Sequence, residues 1–215
     1  MPGDKDAEYI SKLAVLLKEL SSRHRLFVVT GGGKVARYYI ENGRELGMPE
    51  SLLDELGIMA TRLNARLLCG ALHGLSNTMP PETVEGAASI GSKHRIVVMG
   101  GTAPGWTTDF VAASLAESVK ADKLVNATSV DGVYTADPRK DKKAKLLAKM
   151  TYEELVALTG SGHQKAGPSV VFDPQAARLV AKAGIPLLVV NGRDLAALRN
   201  SIEGKKFRGT TVQEV

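Results

Sequence analysis

At 215 residues, with 44% hydrophobic and 24% charged residues, the chain has the ordinary make-up of a soluble globule and can bury an ample core. No apolar run reaches the roughly 20 residues of a membrane span, and the start, Met1-Pro2-Gly3-Asp4-Lys5-Asp6, lacks the basic and apolar regions of a signal peptide, so a cytoplasmic protein without a membrane partner is expected. A net charge of +5 admits an anionic partner, but dispersed basic residues and 5% aromatics argue against a nucleic-acid platform and leave a small polyanion such as a nucleotide.

Tyr9 to Leu20 carries Ile10, Leu13, Ala14, Leu16 and Leu17 at helical spacing. Leu26-Phe27-Val28-Val29 is a buried-strand run that breaks at Gly31-Gly32-Gly33, and a helix is predicted from Lys34 with Val35, Ala36, Tyr39 and Ile40 on one face. Three consecutive glycines are conformationally costly, which close approach of a ligand or a crossing segment repays; a flexible turn is the plainer alternative. The spacing is neither the dinucleotide G-x-G-x-x-G nor a P-loop. Pro49 to Leu72 predicts a long helix with Leu52, Leu53, Leu56, Met59, Leu63, Leu67 and Leu68 as its apolar face. Asp54 and Arg62 on its other side read most simply as solvated residues. A Pro-rich connection, Met79-Pro80-Pro81, and a weak helix near Val84 to Ser89 follow. Cys69 cannot form an internal disulfide, and His24, His73, His94 and His163 show no metal-ligand spacing.

The apolar run Ile96 to Met99 ends at Gly100-Gly101, crosses a short loop and enters a helix from Thr108 to Lys120 through the N-terminal signals Thr107, Thr108 and Asp109. Leu124 to Thr128 is the next strand, and Asp131-Gly132 signals a hairpin over Ser129 to Tyr134. Asp137-Pro138 stops any strand. Thr151 and Glu154 make a capping box for a helix through Leu158, and a Gly/Ser loop then carries His163, Lys165 and Gly167. Asp173-Pro174 opens a helix closing at Gly184; Ile185 to Val190 is a strand, Asp194 to Ile202 a helix, and Gly209 to Val212 a last short strand. Strands alternating with helices predict an α/β fold, a mainly parallel sheet covered on both faces in a three-layer αβα sandwich.

Glycine loops that follow parallel strands and open helices expose backbone N–H groups at the positive end of a helix dipole, which suits anions. Two such loops and the Asp-Gly corner, all after strand ends, suit a reaction that handles two phosphate-bearing molecules. On four ordered motifs the chain resembles the amino acid kinase superfamily and, within it, the archaeal-type uridylate (UMP) kinases. The motifs are Val29 to Ile40, Asp54 with Gly57 to Ala65, Met99 to Asp109, and Ala127 to Pro138; Lys165-Ala166-Gly167 and Gly209-Thr210-Thr211 also fit.

The resemblance implies ATP-dependent phosphorylation of UMP to UDP with Mg²⁺ on a homohexamer. It implies one domain over 1–215, with about 1–120 binding the nucleoside monophosphate and about 121–215 binding ATP. By motif, Gly32, Asp54 and the loop Thr102, Ala103, Pro104, Gly105, Trp106, Thr107 and Thr108 would bind UMP, while Gly33, Arg37, Thr128, Tyr134 and Asp137 would bind ATP. Asp109 would orient a cation or a Mg²⁺-bound group, with helix capping as its plainer role. Lys165 would touch the transferring phosphate, or be a surface lysine of a glycine-rich loop. Asp54 would accept a hydrogen bond from a sugar or base donor. Family members also carry an N-terminal strand and a Gly-Gly-Ser loop that nothing before Tyr9 resembles, so weak binding and slow turnover are expected of this form. A non-catalytic nucleotide-binding subunit and another phosphotransferase of the superfamily are the alternatives.

Overall fold

The computed structural model describes residues 6–160 and 172–214, which divide into two compact units, Met1–Ser118 and Val119–Val215. The first unit is built on two parallel strands, β1 (Leu26–Val29) and β2 (Ile96–Met99), paired in register from Leu26 with Ile96 to Val29 with Met99. Parallel strands need a crossover, here made by α2 (Gly33–Glu45), α3 (Glu50–Ala71) and α4 (Val84–Ile90). Helix α1 (Asp6–Ser21) precedes the sheet and α5 (Thr108–Ser118) follows it.

Side-chain alternation divides the apolar residues of the strands between two helical layers. Ile96 and Val98 pack with Ile10, Ala14 and Leu17 of α1 and Ala65, Leu68 and Cys69 of α3. Cys69 is thus a buried core thiol, and burial raises its pKa. On the opposite face α4 lies on β2 and α5 on β1. Gly91, at the end of α4, sits so close to the Phe27 ring that a Cβ there would come within 2.5 Å of it.

Beyond a single parallel main-chain bridge of Ser76 to Ile96, strand β2 is closed on its second edge by a side chain rather than by a strand. The Asn77 carboxamide accepts from Val98 N at 2.7 Å and donates to Val98 O at 2.9 Å, standing where a neighbouring peptide group would. Asn77 and Val98 are both buried, so without this pairing a main-chain donor and acceptor would be left unsatisfied.

In the second unit, β3 (Leu124–Thr128), β4 (Lys149–Met150), β5 (Leu187–Asn191) and β6 (Gly209–Val212) form one sheet in the order β3-β5-β6-β4. The β3/β5 and β4/β6 pairs are parallel and β5/β6 is antiparallel. The two-residue β4 has no sequence signal of its own. Helix α6 (Tyr152–Gly160) opens with the anticipated capping box: Thr151 N donates to Glu154 at 2.9 Å and Glu154 N to Thr151 Oγ1 at 3.2 Å. Asp173 caps α7 (Pro174–Ala183), which ends at Gly184 with φ +63°, and Asp194 caps α8 (Leu195–Ile202).

Helix α3 differs from its sequence pattern. Leu53 and Leu68 are buried, whereas Leu52, Met59, Leu63 and Leu67 are 42–64% exposed and lie along a second face. The apolar stripe is therefore wider than the one the unit buries.

Replacing Asn77 with Ala should lower stability by on the order of 3 kcal/mol, because it strands both Val98 groups. A urea titration followed by far-UV circular dichroism measures this; an unchanged midpoint would refute the edge-closing role.

Candidate functional site

In the first unit the loops after β1 and β2 leave the same end of the sheet, since the strands are parallel and in register. Both are held by α3. Thr30 Oγ1 donates to Thr61 O at 2.9 Å, and Asn64 Nδ2 donates to Gly31 O at 2.8 Å, which fixes the first loop. The second loop receives more bonds. Gly101 N donates to Thr61 Oγ1 at 2.6 Å, and that hydroxyl passes its own proton to Ile58 O at 2.6 Å. Arg62 donates through Nε to Gly101 O at 3.1 Å and through Nη2 to Thr102 O at 3.2 Å, while Nη1 pairs with Glu82 at 3.0 Å. Asp54 Oδ2 accepts from Gly105 N at 2.8 Å. Asp54 and Arg62 are therefore loop clamps, which corrects their reading as solvated residues.

The glycines answer to two different demands. A Cβ on Gly100 would lie 2.7 Å from Arg62 N and 2.8 Å from the Thr61 carbonyl carbon, so this glycine lets α3 touch the loop. Gly31 has only Thr108 Oγ1 near its missing Cβ, at 3.9 Å, so packing does not require it to be glycine. Gly33 begins α2 at φ +59°, a conformation that strains other residues. Within the second loop Gly105 has φ +80°, Thr107 Oγ1 caps α5 by accepting from Phe110 N, and Trp106 stacks edge-on against Phe110 at 4.9 Å. Among the described residues, the Thr102 hydroxyl is the one buried side-chain polar atom without a hydrogen-bond partner. A native fold leaves such a group unpaired rarely, and a ligand is one of the standard reasons.

In the second unit Thr128 and Asn191 end the parallel pair β3/β5 side by side. The following Asp-Gly corner is not a two-residue hairpin: the antiparallel bridge runs from Tyr134 to Leu146. Gly132 is needed for contact, since a Cβ would lie 2.6 Å from Thr210 Oγ1. Asp131 gathers three donors: Arg208 Nε at 2.6 Å, Asn191 Nδ2 at 3.1 Å and the Tyr134 hydroxyl at 3.3 Å. The Arg208 bond first, and the Asn191 bond second, hold its carboxyl below the usual carboxylate range, and the same pair raises the Arg208 pKa. Thr210 Oγ1 accepts from Val133 N at 2.8 Å and donates to Leu147 O at 2.6 Å, tying the corner to β6.

Of the residues expected to act, Gly32, Gly33, Arg37, Asp54, Thr102 to Thr108 and Asp109 fall in the first unit. Arg37 is an exposed residue of α2 and Asp109 lies in the first turn of α5. Thr128, Tyr134 and Asp137 fall in the second unit. Thr128 Oγ1 accepts from Val130 N, Tyr134 is buried, and Asp137 accepts from Arg139 N, the bond that chiefly lowers its pKa. Lys165 lies outside the described residues. Arg208 and Asn191 carried no sequence signal, standing 77 and 60 positions from the carboxylate they bind.

Comparison with known proteins follows the same lines. The family model of the amino acid kinase family matches residues 2–191. The uridylate kinase of Thermoplasma volcanium is 45% identical over 209 residues, covering 97% of this chain and 91% of that protein. That of Methanocaldococcus jannaschii is 50% identical over 187 residues, covering 86% and 83%. The crystal structure of the Archaeoglobus fulgidus uridylate kinase superposes with a TM-score of 0.88 at 38% identity, covering 97% of this chain and 94% of that one. With α3 and α1 on one face of the parallel strands, α4 and α5 on the other, and these likenesses spanning both units, the chain belongs to the amino acid kinase family, in the company of the archaeal uridylate kinases.

Proposed function

We propose that the chain transfers the γ-phosphoryl group of ATP to UMP, giving UDP and ADP. The observation that carries this is the loop from Gly100 to Thr108, clamped to α3 at its start and at its midpoint, Gly105, yet keeping the buried Thr102 hydroxyl unpaired. A loop so held is preorganised for an anion, and the archaeal relatives at 45–50% identity are uridylate kinases. The first unit then takes UMP through Gly32, Asp54 and Thr102, Ala103, Pro104, Gly105, Trp106, Thr107 and Thr108. Asp54 already spends one oxygen on Gly105 N, which leaves the other for a neutral donor on the nucleoside. The second unit takes ATP through Thr128, Tyr134 and Asp137.

The chemistry asks little of the protein beyond positioning and charge neutralisation. An oxygen of the UMP phosphate attacks the γ-phosphorus, the bond from that phosphorus to the β,γ-bridging oxygen breaks, and ADP leaves. The attacking phosphate is already ionised near neutral pH, so no general base is needed. Mg²⁺ takes one or two carboxylates and otherwise the phosphates and water. When bound it neutralises charge on the phosphates, and Asp109 is the carboxylate we assign to orienting it. Lys165 is assigned to the transferring phosphate.

The same reading makes the protein cytoplasmic and homohexameric, with no nucleic-acid or membrane partner. No helix of the described residues is long and apolar enough to cross a membrane. The exposed Leu52, Met59, Leu63 and Leu67 of α3, with Tyr38, Tyr39 and Leu46 also exposed, supply apolar surface for subunit contact.

An assay coupled to ADP release should show turnover with UMP, ATP and Mg²⁺ and far less with AMP or carbamate as acceptor; nucleotide binding without turnover would overturn the proposal. Replacing Arg62 with Met removes two bonds to loop carbonyls and should lower kcat/KM for UMP by about ten- to a hundredfold while leaving KM for ATP nearly unchanged. Steady-state kinetics in both substrates tests this, and a parallel rise in both KM values would count against it. Replacing Leu63 and Leu67 with Glu should shift the mass in sedimentation to a smaller species with helix content retained.

A further inference from the structure

We infer that Arg208 is a positioning residue for the ATP-binding corner: by gripping Asp131 from the foot of β6 it sets the hydroxyl of Tyr134, and this rests on the phosphotransferase reading above. Within the corner from Thr128 to Tyr134, Thr128 Oγ1 accepts from Val130 N at 3.1 Å and the Tyr134 hydroxyl donates to Asp131 at 3.3 Å. The other holds come from outside. Thr210 holds the Val133 amide, and Asn191 at the end of β5 holds one Asp131 oxygen. Arg208 takes the other at 2.6 Å, and that same oxygen accepts from Tyr134. Tyr134 is thus oriented by a carboxylate whose own orientation depends on the guanidinium.

These two attachments to β6 do different things. Thr210 is fully buried and Gly132 packs against it, so that bond belongs to the core of the unit. Arg208 is 69% exposed, and an exposed ion pair adds little to stability. Its removal leaves the core bonds in place and frees the Asp131 carboxylate to turn. The consequence falls on what the corner binds, and not on whether the unit folds. The contact runs through a single nitrogen, Nε, so a lysine of suitable reach substitutes in part, which a bidentate fork would not permit.

The test uses the full chain with Arg208→Gln, Arg208→Lys and Asp131→Asn, titrated separately with ATP and with UMP by calorimetry, alongside thermal melts. R208Q should weaken ATP binding about three- to tenfold, the loss of one charge-assisted bond, with UMP affinity and melting temperature unchanged. R208K should recover most of the loss, and R208Q combined with D131N should be no weaker than D131N alone. Amide exchange at Val130 and Tyr134 should quicken in R208Q, with the β5 amides unaffected. Equal ATP affinity in R208Q and the parent would overturn the inference, as would losses for ATP and UMP together or unchanged exchange at the corner. A parent chain that binds UMP but no ATP would overturn the phosphotransferase reading instead, and the exchange measurement would still judge the grip of Arg208 on the corner.

Discussion

Helix α3 bonds to the main chain of both glycine loops of the first unit, and that unit's functional end depends on it. A loop that leaves a parallel strand carries N–H and C=O groups that no neighbouring strand can pair. Asp54, Thr61, Arg62 and Asn64 supply the partners, reaching Gly105, Gly101, Thr102 and Gly31 in turn. The close approach is possible only because Gly100 has no side chain to keep the helix away. Loop rigidity and helix packing are therefore one constraint.

The second unit solves the same problem with a strand. Arg208 and Thr210, at the start of β6, and Asn191, at the end of β5, hold the corner after β3. The antiparallel β5/β6 pair brings these residues together, with Val190 opposite Gly209. In both units the glycine marks where another segment presses against the turn, and the polar residue beside it marks what that segment binds. Gly132 against Thr210 and Gly100 against Thr61 are two cases of one arrangement.

Helix α3 divides its surface three ways. Leu53, Ala65 and Leu68 are buried, Asp54, Arg62 and Asn64 face the loops, and Leu52, Met59, Leu63 and Leu67 are exposed. Twenty-two residues give six turns, enough length to serve all three. The helix is apolar on a broad arc, and the unit buries only part of it.

The strands at Leu26–Val29, Ile96–Met99, Leu124–Thr128 and Gly209–Val212 match their sequence patterns at both ends, because apolar runs bounded by glycine or polar turns leave little freedom. The helix caps at Thr151 and Asp173 were equally legible, each being a bond within three residues. The family itself was readable from four ordered motifs. What no local pattern could disclose is the partner of a side chain far away in sequence. Arg62 and Asp54 looked like solvent-facing charges until α3 was laid against a loop 40 and 51 positions on. Asp131-Gly132 looked like a tight hairpin until Thr210 and Arg208 were seen to occupy the space beside it. Hydrophobic period and capping are properties of neighbours along the chain, so composition and order determine them. A hydrogen bond across 77 residues depends on which strands pair and in what register, and only the folded chain decides that.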